Sequence, residues 1–200
     1  MSSKLLLPLF ALAILLSACS STVITDEERE VPMEDKNMEE STFTGTLNEN
    51  LSESFVAFTG TKGELVSHEC KFNAFTTSVD FVDGKPVAIE ATIDITSLET
   101  ESEGLTKHLL SADFFESESF DTAVFSSKNI KMNDDGSYAV TGTLIIKDVS
   151  KEVVIPMNIS EEYVQAMYTL DRTEYNVGGP ADSIKAPNAE IEIELKITLQ

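Results

Sequence analysis

Tryptophan is absent from this chain of 200 residues, and cysteine and histidine occur only twice each. Two cysteines allow one disulfide at most, which excludes a small scaffold braced by many bridges. Two histidines and no tight acidic motif leave nucleophilic or metal-assisted catalysis little to work with, so the chain reads as a non-enzyme. Basic residues are also scarce: 14 Lys and Arg stand against 35 Asp and Glu, a net charge of −21. A chain this acidic does not bind nucleic acid through its phosphates. It is repelled by anionic lipid headgroups. No apolar run is long enough to cross a membrane as a helix. The length predicts one domain, with room for a tail.

What is present begins with that tail. Met1–Lys4 is a short positive segment and Leu5–Leu16 an apolar run of signal-peptide length. It ends in Leu16-Ser17-Ala18-Cys19, which resembles a bacterial lipobox. The resemblance implies that residues 1–18 are removed and that Cys19 becomes the lipid attachment site. It also implies an exported protein anchored by acyl chains on the periplasmic side of the cell envelope, at the outer membrane in a host that has one. With Cys19 lipidated, Cys70 is alone and no internal disulfide forms. Between Ser20 and Asn50 there are nine acids, two bases and little aliphatic content. Residues 19–43 therefore read as the lipidated end and a disordered acidic tether, and 44–200 as the folded domain.

After residue 50 the pattern is that of strands. Val87, Ile89, Ala91, Ile93 and Ile95 point one way, while Glu90, Thr92 and Asp94 point the other. Ile191, Ile193, Leu195, Ile197 and Leu199 alternate in the same manner with Glu190, Glu192, Glu194 and Lys196. Period-2 alternation of this kind means one dry face and one wet face. Further strands are expected at 53–60, 64–68, 71–82, 122–132, 137–147, 151–160 and 163–172. Asp83-Gly84 and Asn133-Asp134-Asp135-Gly136 are hairpin signals, and Gly178-Gly179-Pro180 starts an irregular loop. A strong last strand invites edge-to-edge association unless it pairs with the first, and closure removes the edge. The expected fold is all-β, an eight-stranded antiparallel lipocalin-like barrel with interior room for side chains or one ligand.

Ser97 to Phe125 departs from the strand period. Thr100 and Glu103 have capping-box spacing, and Leu105 and Leu109 form an apolar stripe. Lys107 and His108 fall where a helix dipole favours positive charge. A short helix at about 101–112 is expected, with Asp113-Phe114-Phe115 at its exit, lying over one end of the barrel.

Those residues also carry a likeness. Ser97-Leu98, Thr100, His108-Leu109, Ser111-Ala112-Asp113-Phe114-Phe115 and Ala123-Val124-Phe125 resemble the YceI-like family. So do Gly142-Thr143-Leu144 through Lys147-Asp148-Val149-Ser150-Lys151 to Pro156, and Thr59-Gly60-Thr61-Lys62 with Val66-Ser67-His68-Glu69. Arg172 through Gly178 completes the pattern. The family often has Trp near the first strand, where Phe58 stands here, and commonly Gly after the His-Glu pair, where Cys70 stands. The resemblance implies a barrel that binds, stores or shuttles an isoprenoid lipid, either a polyprenyl chain or an isoprenoid quinone, with no cofactor beyond the N-terminal lipid and that bound isoprenoid.

A long hydrocarbon needs an apolar channel and little polar chemistry. Phe72, Phe75, Ile93, Ile95, Leu105, Leu109, Phe114, Phe115 and Phe125 are the candidate lining, and each has simple core packing as its alternative. Arg172 and His108 are candidates for the headgroup. Residues 51–200 hold eleven bases against twenty-six acids, with Arg172 the only Arg, which favours a neutral head over a pyrophosphate. Arg172 is equally open to a surface ion pair. Two other readings stand beside this one: a non-catalytic interaction module of the envelope, and a metal-handling protein using His68, Cys70 and His108.

Overall fold

The computed structural model describes residues 41–180 and 186–200. Residues from Glu39 to Gln200 form one compact unit. The expectations on the leader, on Cys19 and on the tether as far as residue 40 lie outside the described residues.

The unit is one antiparallel sheet with a single α-helix among the described residues. In chain order the strands are β1 (Gly45–Asn48), β2 (Phe55–Lys62), β3 (Val66–Phe72), β4 (Phe75–Val82), β5 (Lys85–Asp94) and β6 (Leu98–Thr100). Helix α1 (Glu103–Leu110) follows, then β7 (Thr122–Met132), β8 (Tyr138–Ile146), β9 (Val149–Ile159), β10 (Tyr163–Asp171) and β11 (Glu190–Thr198). Eleven strands replace the expected eight. The short β1 and β6, of 4 and 3 residues, are too brief to show an alternation. The expected strands at 64–68 and 71–82 are cut elsewhere, at Asn73-Ala74. There the Ser97 hydroxyl accepts from both backbone N–H groups, at 3.1 and 2.9 Å, and turns the chain.

The strand order is β1-β4-β5-β7-β8-β9-β10-β11-β2-β3-β6. This order, with the chain connections, shows how far the sheet curls. β3 and β4 stand near opposite ends of it, yet only Asn73 and Ala74 join them. Two residues span a few ångströms, so the two ends of the sheet must meet. A second connection crosses the same seam, from β5 through the 3-10 turn Ile95–Ser97 to β6. A third contact is the bridge between Glu49 and Leu199, beside reciprocal backbone bonds of Asn48 with Gln200 at 3.2 and 2.9 Å. β11 thus has neighbours on both sides, β10 and β2. The exposed edges fall on the two shortest strands, as aggregation avoidance requires.

The hairpin signals hold. Asp83 and Gly84 adopt φ of 50° and 72° between β4 and β5, the left-handed pair a two-residue hairpin needs. Alternation fails at one position, because Val87 is 51% exposed instead of facing in with Ile89. A bulge sets Asp80 against Ala88 but Phe81 against Pro86. The extra residue, Val87, is turned outward, and Pro86 takes the inward place. Phe43, the last residue of the expected tether, is already docked, with its ring 6.0 Å from that of Phe81.

Candidate functional site: an apolar lumen and its mouth

Inward residues of the strands enclose a lumen of about 130 Å³. Its wall is apolar apart from Thr77 and Tyr168. Ile191, Ile193 and Leu195 point into it yet are only half-buried, because they border free space instead of a packed neighbour. A second cavity of about 590 Å³ opens beside it, under α1 and between the β2–β3 hairpin and the segments 177–179 and 186–188. Phe58, Phe115 and Ile191 line both. The rings of Phe58, Phe72 and Phe115 lie 5.7 to 6.1 Å apart, centre to centre, in tilted and edge-on contact. Such rings cohere through their edges and faces. They form the partition between mouth and lumen.

The mouth is organised by α1 and the turn after it. The helix starts one step from the expected cap: Ser102, not Thr100, is the N-cap, its hydroxyl accepting from Leu105 N–H at 3.3 Å. Thr100 closes β6 instead, and its hydroxyl meets those of the helix at Thr106, 3.0 Å away. The stripe is as expected, since Leu105 and Leu109 both face the mouth. After the helix, the Phe115 N–H donates to the Leu109 carbonyl at 3.0 Å, which folds the aromatic pair back beneath α1.

All nine apolar lining candidates border one of the two spaces. Phe72, Phe75, Ile93, Ile95 and Phe125 lie on the lumen. Leu105, Leu109 and Phe114 lie on the mouth, and Phe115 on both.

The two polar candidates both border the mouth. Arg172 is 4% exposed and forms no ion pair among the described residues. Its Nε donates to the Asn188 carbonyl at 2.8 Å, Nη1 to those of Val177 and Gly179 at 2.6 and 2.8 Å, and Nη2 to that of Pro187 at 2.7 Å. Four of its five N–H donors are therefore spent on backbone. Burial lowers its pKa, an effect that Asp171 opposes. Arg172 is the post around which two loop segments are wound. Gly178 passes so close to Phe114 that a Cβ there would lie 2.4 Å from the ring, and its φ is +77°.

His108 sits at the mouth with Nε2 3.6 Å from an Asp113 carboxylate oxygen and its ring edge-on to Phe114, centroids 5.0 Å apart. His68 is paired with Glu101. A backbone hydrogen bond first, and then His68, hold the Glu101 carboxyl below the usual range. Cys70 is buried, and burial followed by the charges of Glu101 and Glu69 pushes its thiol up to about 12. It is a neutral thiol, unlike the thiolate a metal prefers. Among the described residues no three His, Cys, Asp or Glu side chains are placed to hold a metal ion. The metal-handling reading of His68, Cys70 and His108 is set aside on that ground, although all three border one cavity.

Two residues that shape the mouth were not foreseen. The side chain of Asn188 reaches the β2–β3 hairpin, donating to the Thr61 hydroxyl at 2.7 Å and accepting from Gly63 N–H at 3.2 Å. Lys147, 9% exposed at its side chain, donates to the carbonyls of Phe114 and Asn176 at 3.1 and 3.2 Å and pairs with Glu116 at 3.4 Å. Neither has a signature in a polar loop sequence; Lys147 shows itself only by a φ of 55° in the β8–β9 turn.

The fold has solved counterparts. BcnA of Burkholderia cenocepacia superposes with a TM-score of 0.69 at 22% identity, over 75% of this chain and 98% of its own. A polyisoprenoid binding domain from Saccharophagus degradans, implicated in plant cell wall breakdown, gives 0.61 at 12% identity, over 79% and 99%. In sequence, a UPF0312 protein of Photorhabdus laumondii is 33% identical over 93 residues, 46% of this chain and 48% of that protein. A UPF0312 protein of Pseudomonas aeruginosa is 37% identical over 87 residues, 42% and 45%. The chain thus matches about half the length of these curated relatives. A family model describing the YceI-like domain matches residues 35–199. The lumen, its helical cover and this match over most of the chain agree: the protein belongs to the YceI-like family.

Proposed function

We propose that the protein binds an isoprenoid lipid, the chain in the lumen and the polar end at the mouth, and that it carries this lipid as an anchored envelope lipoprotein. The observation that carries the reading is the pair of adjoining cavities, which share Phe58, Phe115 and Ile191 in their walls. One is lined almost wholly by hydrocarbon, and the other is open and edged by polar groups. Burying a hydrocarbon against such a wall contributes roughly 25 cal/mol per Å² and needs no specific polar partner. The fold neighbour from Saccharophagus degradans, a polyisoprenoid binding domain, supports the same ligand class.

The lumen at 130 Å³ falls below the range of about 300–1,000 Å³ usual for ligand sites, whereas the mouth at 590 Å³ lies within it. A chain therefore enters only if the partition of Phe58, Phe72 and Phe115 rotates aside. Arg172 is held by backbone, so the polar end meets His108, the loop carbonyls and the glycines at 178–179 more than a free guanidinium. This favours a neutral head, such as a quinone, over a pyrophosphate.

Gentle purification followed by native mass spectrometry tests the reading. A mass increment that extracts into organic solvent as an isoprenoid is the expected result. Protein that stays at its polypeptide mass, and takes up neither polyprenol nor quinone when these are supplied in detergent, overturns it.

A further inference from the structure

A lipid that leaves a bilayer for an enclosed pocket should not cross open water on the way, so the surface around the mouth is of interest. The β2–β3 hairpin forms one wall of the mouth through Gly60, Thr61, Lys62 and His68. Its tip extends beyond that wall and carries Leu65, 97% exposed, and Val66, 42% exposed. The remaining exposed large apolar side chains among the described residues (Leu51, Val82, Val87, Met132, Ile145, Val154 and Met167) are single positions, no two adjacent in sequence. Isolated cases like these are ordinary. A consecutive pair at the rim of an apolar cavity is different.

We infer that Leu65 and Val66 form a wedge that enters the surface of a lipid bilayer and sets the mouth of the pocket against it. The inference rests on the lipid-binding reading above. Two further observations favour a bilayer over a protein partner. The wedge is continuous with the cavity that a membrane lipid would have to enter. The chain as a whole carries a net charge of −21, yet the charges around the mouth are nearly balanced. Among the described residues that line the mouth, the fixed charges are Lys62 and Arg172 on one side and Asp113 on the other. The mouth is thus a part of the surface that can approach a membrane without strong repulsion, and the fitting membrane is zwitterionic, not anionic. The hairpin is also braced for contact. The Asn188 side chain ties Thr61 and Gly63 to the loop on the far side of the mouth, so force on the tip is transmitted to the rim.

The test uses the chain from Ser20 onward, which keeps the whole Glu39–Gln200 unit and carries no acyl group. Its partition onto phosphatidylcholine vesicles is compared with that of a Leu65→Ser, Val66→Ser double variant by co-sedimentation. The parent should bind and the variant should bind roughly tenfold more weakly or worse, the loss expected for two apolar side chains kept in water. Thermal stability should fall only slightly in the variant, since Leu65 packs against almost nothing and Val66 is the first residue of β3. The variant should also extract a dansyl-labelled geranylgeranyl chain from vesicles more slowly, while binding the same probe in detergent as tightly as the parent. Equal vesicle binding by parent and variant overturns the wedge. So does a concentration-dependent dimer, seen by sedimentation, that the double substitution abolishes while the parent ignores vesicles. Failure of the parent to bind the probe in detergent overturns instead the lipid-binding reading beneath it.

Discussion

Arg172 shows how a residue chosen from sequence for one chemistry can do another. The one Arg of residues 51–200 invites a ligand role in so acidic a chain, but its fork is spread over four backbone carbonyls. Methionine at this position would keep the stem and leave four acceptors unserved. Arg172→Met should lower stability by about 3 kcal/mol or more in urea unfolding, and Lys should rescue little, because one ammonium cannot span that set. Tyr175 is the reverse case. It is 1% exposed and its hydroxyl has no hydrogen-bond partner among the described residues. Tyr175→Phe should leave stability unchanged or raise it by up to about 1 kcal/mol. Cys70 adds a pH dependence. Its thiol is raised to about 12 in the fold, while an unfolded thiol releases its proton near pH 8.5. Between those values the folded chain holds a proton that the unfolded chain has lost, so stability falls as pH rises above about 8.5. Cys70→Ala should flatten that fall. Tyr168 and Tyr175 are raised by burial as well, so the urea comparison belongs between pH 8 and pH 10.

Among the elements, α1 is the one most exposed to small changes. It has eight residues and one buried side chain, Leu109, too few for a helix to persist by its own propensity. Its cap therefore matters. Ser102→Ala should cost about 1 kcal/mol, whereas Thr100→Ala should cost less, although the capping-box spacing favours Thr100. Backbone amide exchange in residues 103–110 would separate the two. The same contrast shows what was legible in the sequence. The existence of the helix, its apolar stripe and most strands could be read because periodicity reports which face is dry. The cap, the Val87 bulge and the split at Asn73-Ala74 could not. Each is decided by a partner outside its own run of residues: Cys70 of β3 opposite Thr100, Phe81 opposite Pro86, Ser97 beneath the turn. The aromatic lining was legible by concentration. Asn188 and Lys147 were not, because a polar residue in a loop does not announce which carbonyl it will find.

For the whole molecule, the seam is the critical feature. The sheet meets itself through the Asn73-Ala74 corner, the Ile95–Ser97 turn and the Glu49–Leu199 bridge. Leu199 is 7% exposed, and its N–H donates to the Glu162 carbonyl at 2.8 Å. Leu199→Ala should cost about 2–4 kcal/mol and also raise binding of a hydrophobic dye, because it loosens closure and not only one contact. Measuring both separates loss of closure from simple loss of packing.

The pairing of β11 with β2 joins residues 192–196 to residues 55–59. While the chain is being made, β2 and β10 each lack a neighbour until residues 190–198 have left the ribosome. Contacts between such distant segments form slowly, so the sheet stays open at this position until that strand has emerged. An open chain can be threaded through a narrow translocation pore, whereas a closed barrel cannot. The position of one strand in the order thus keeps the chain threadable until residues 190–198 have emerged.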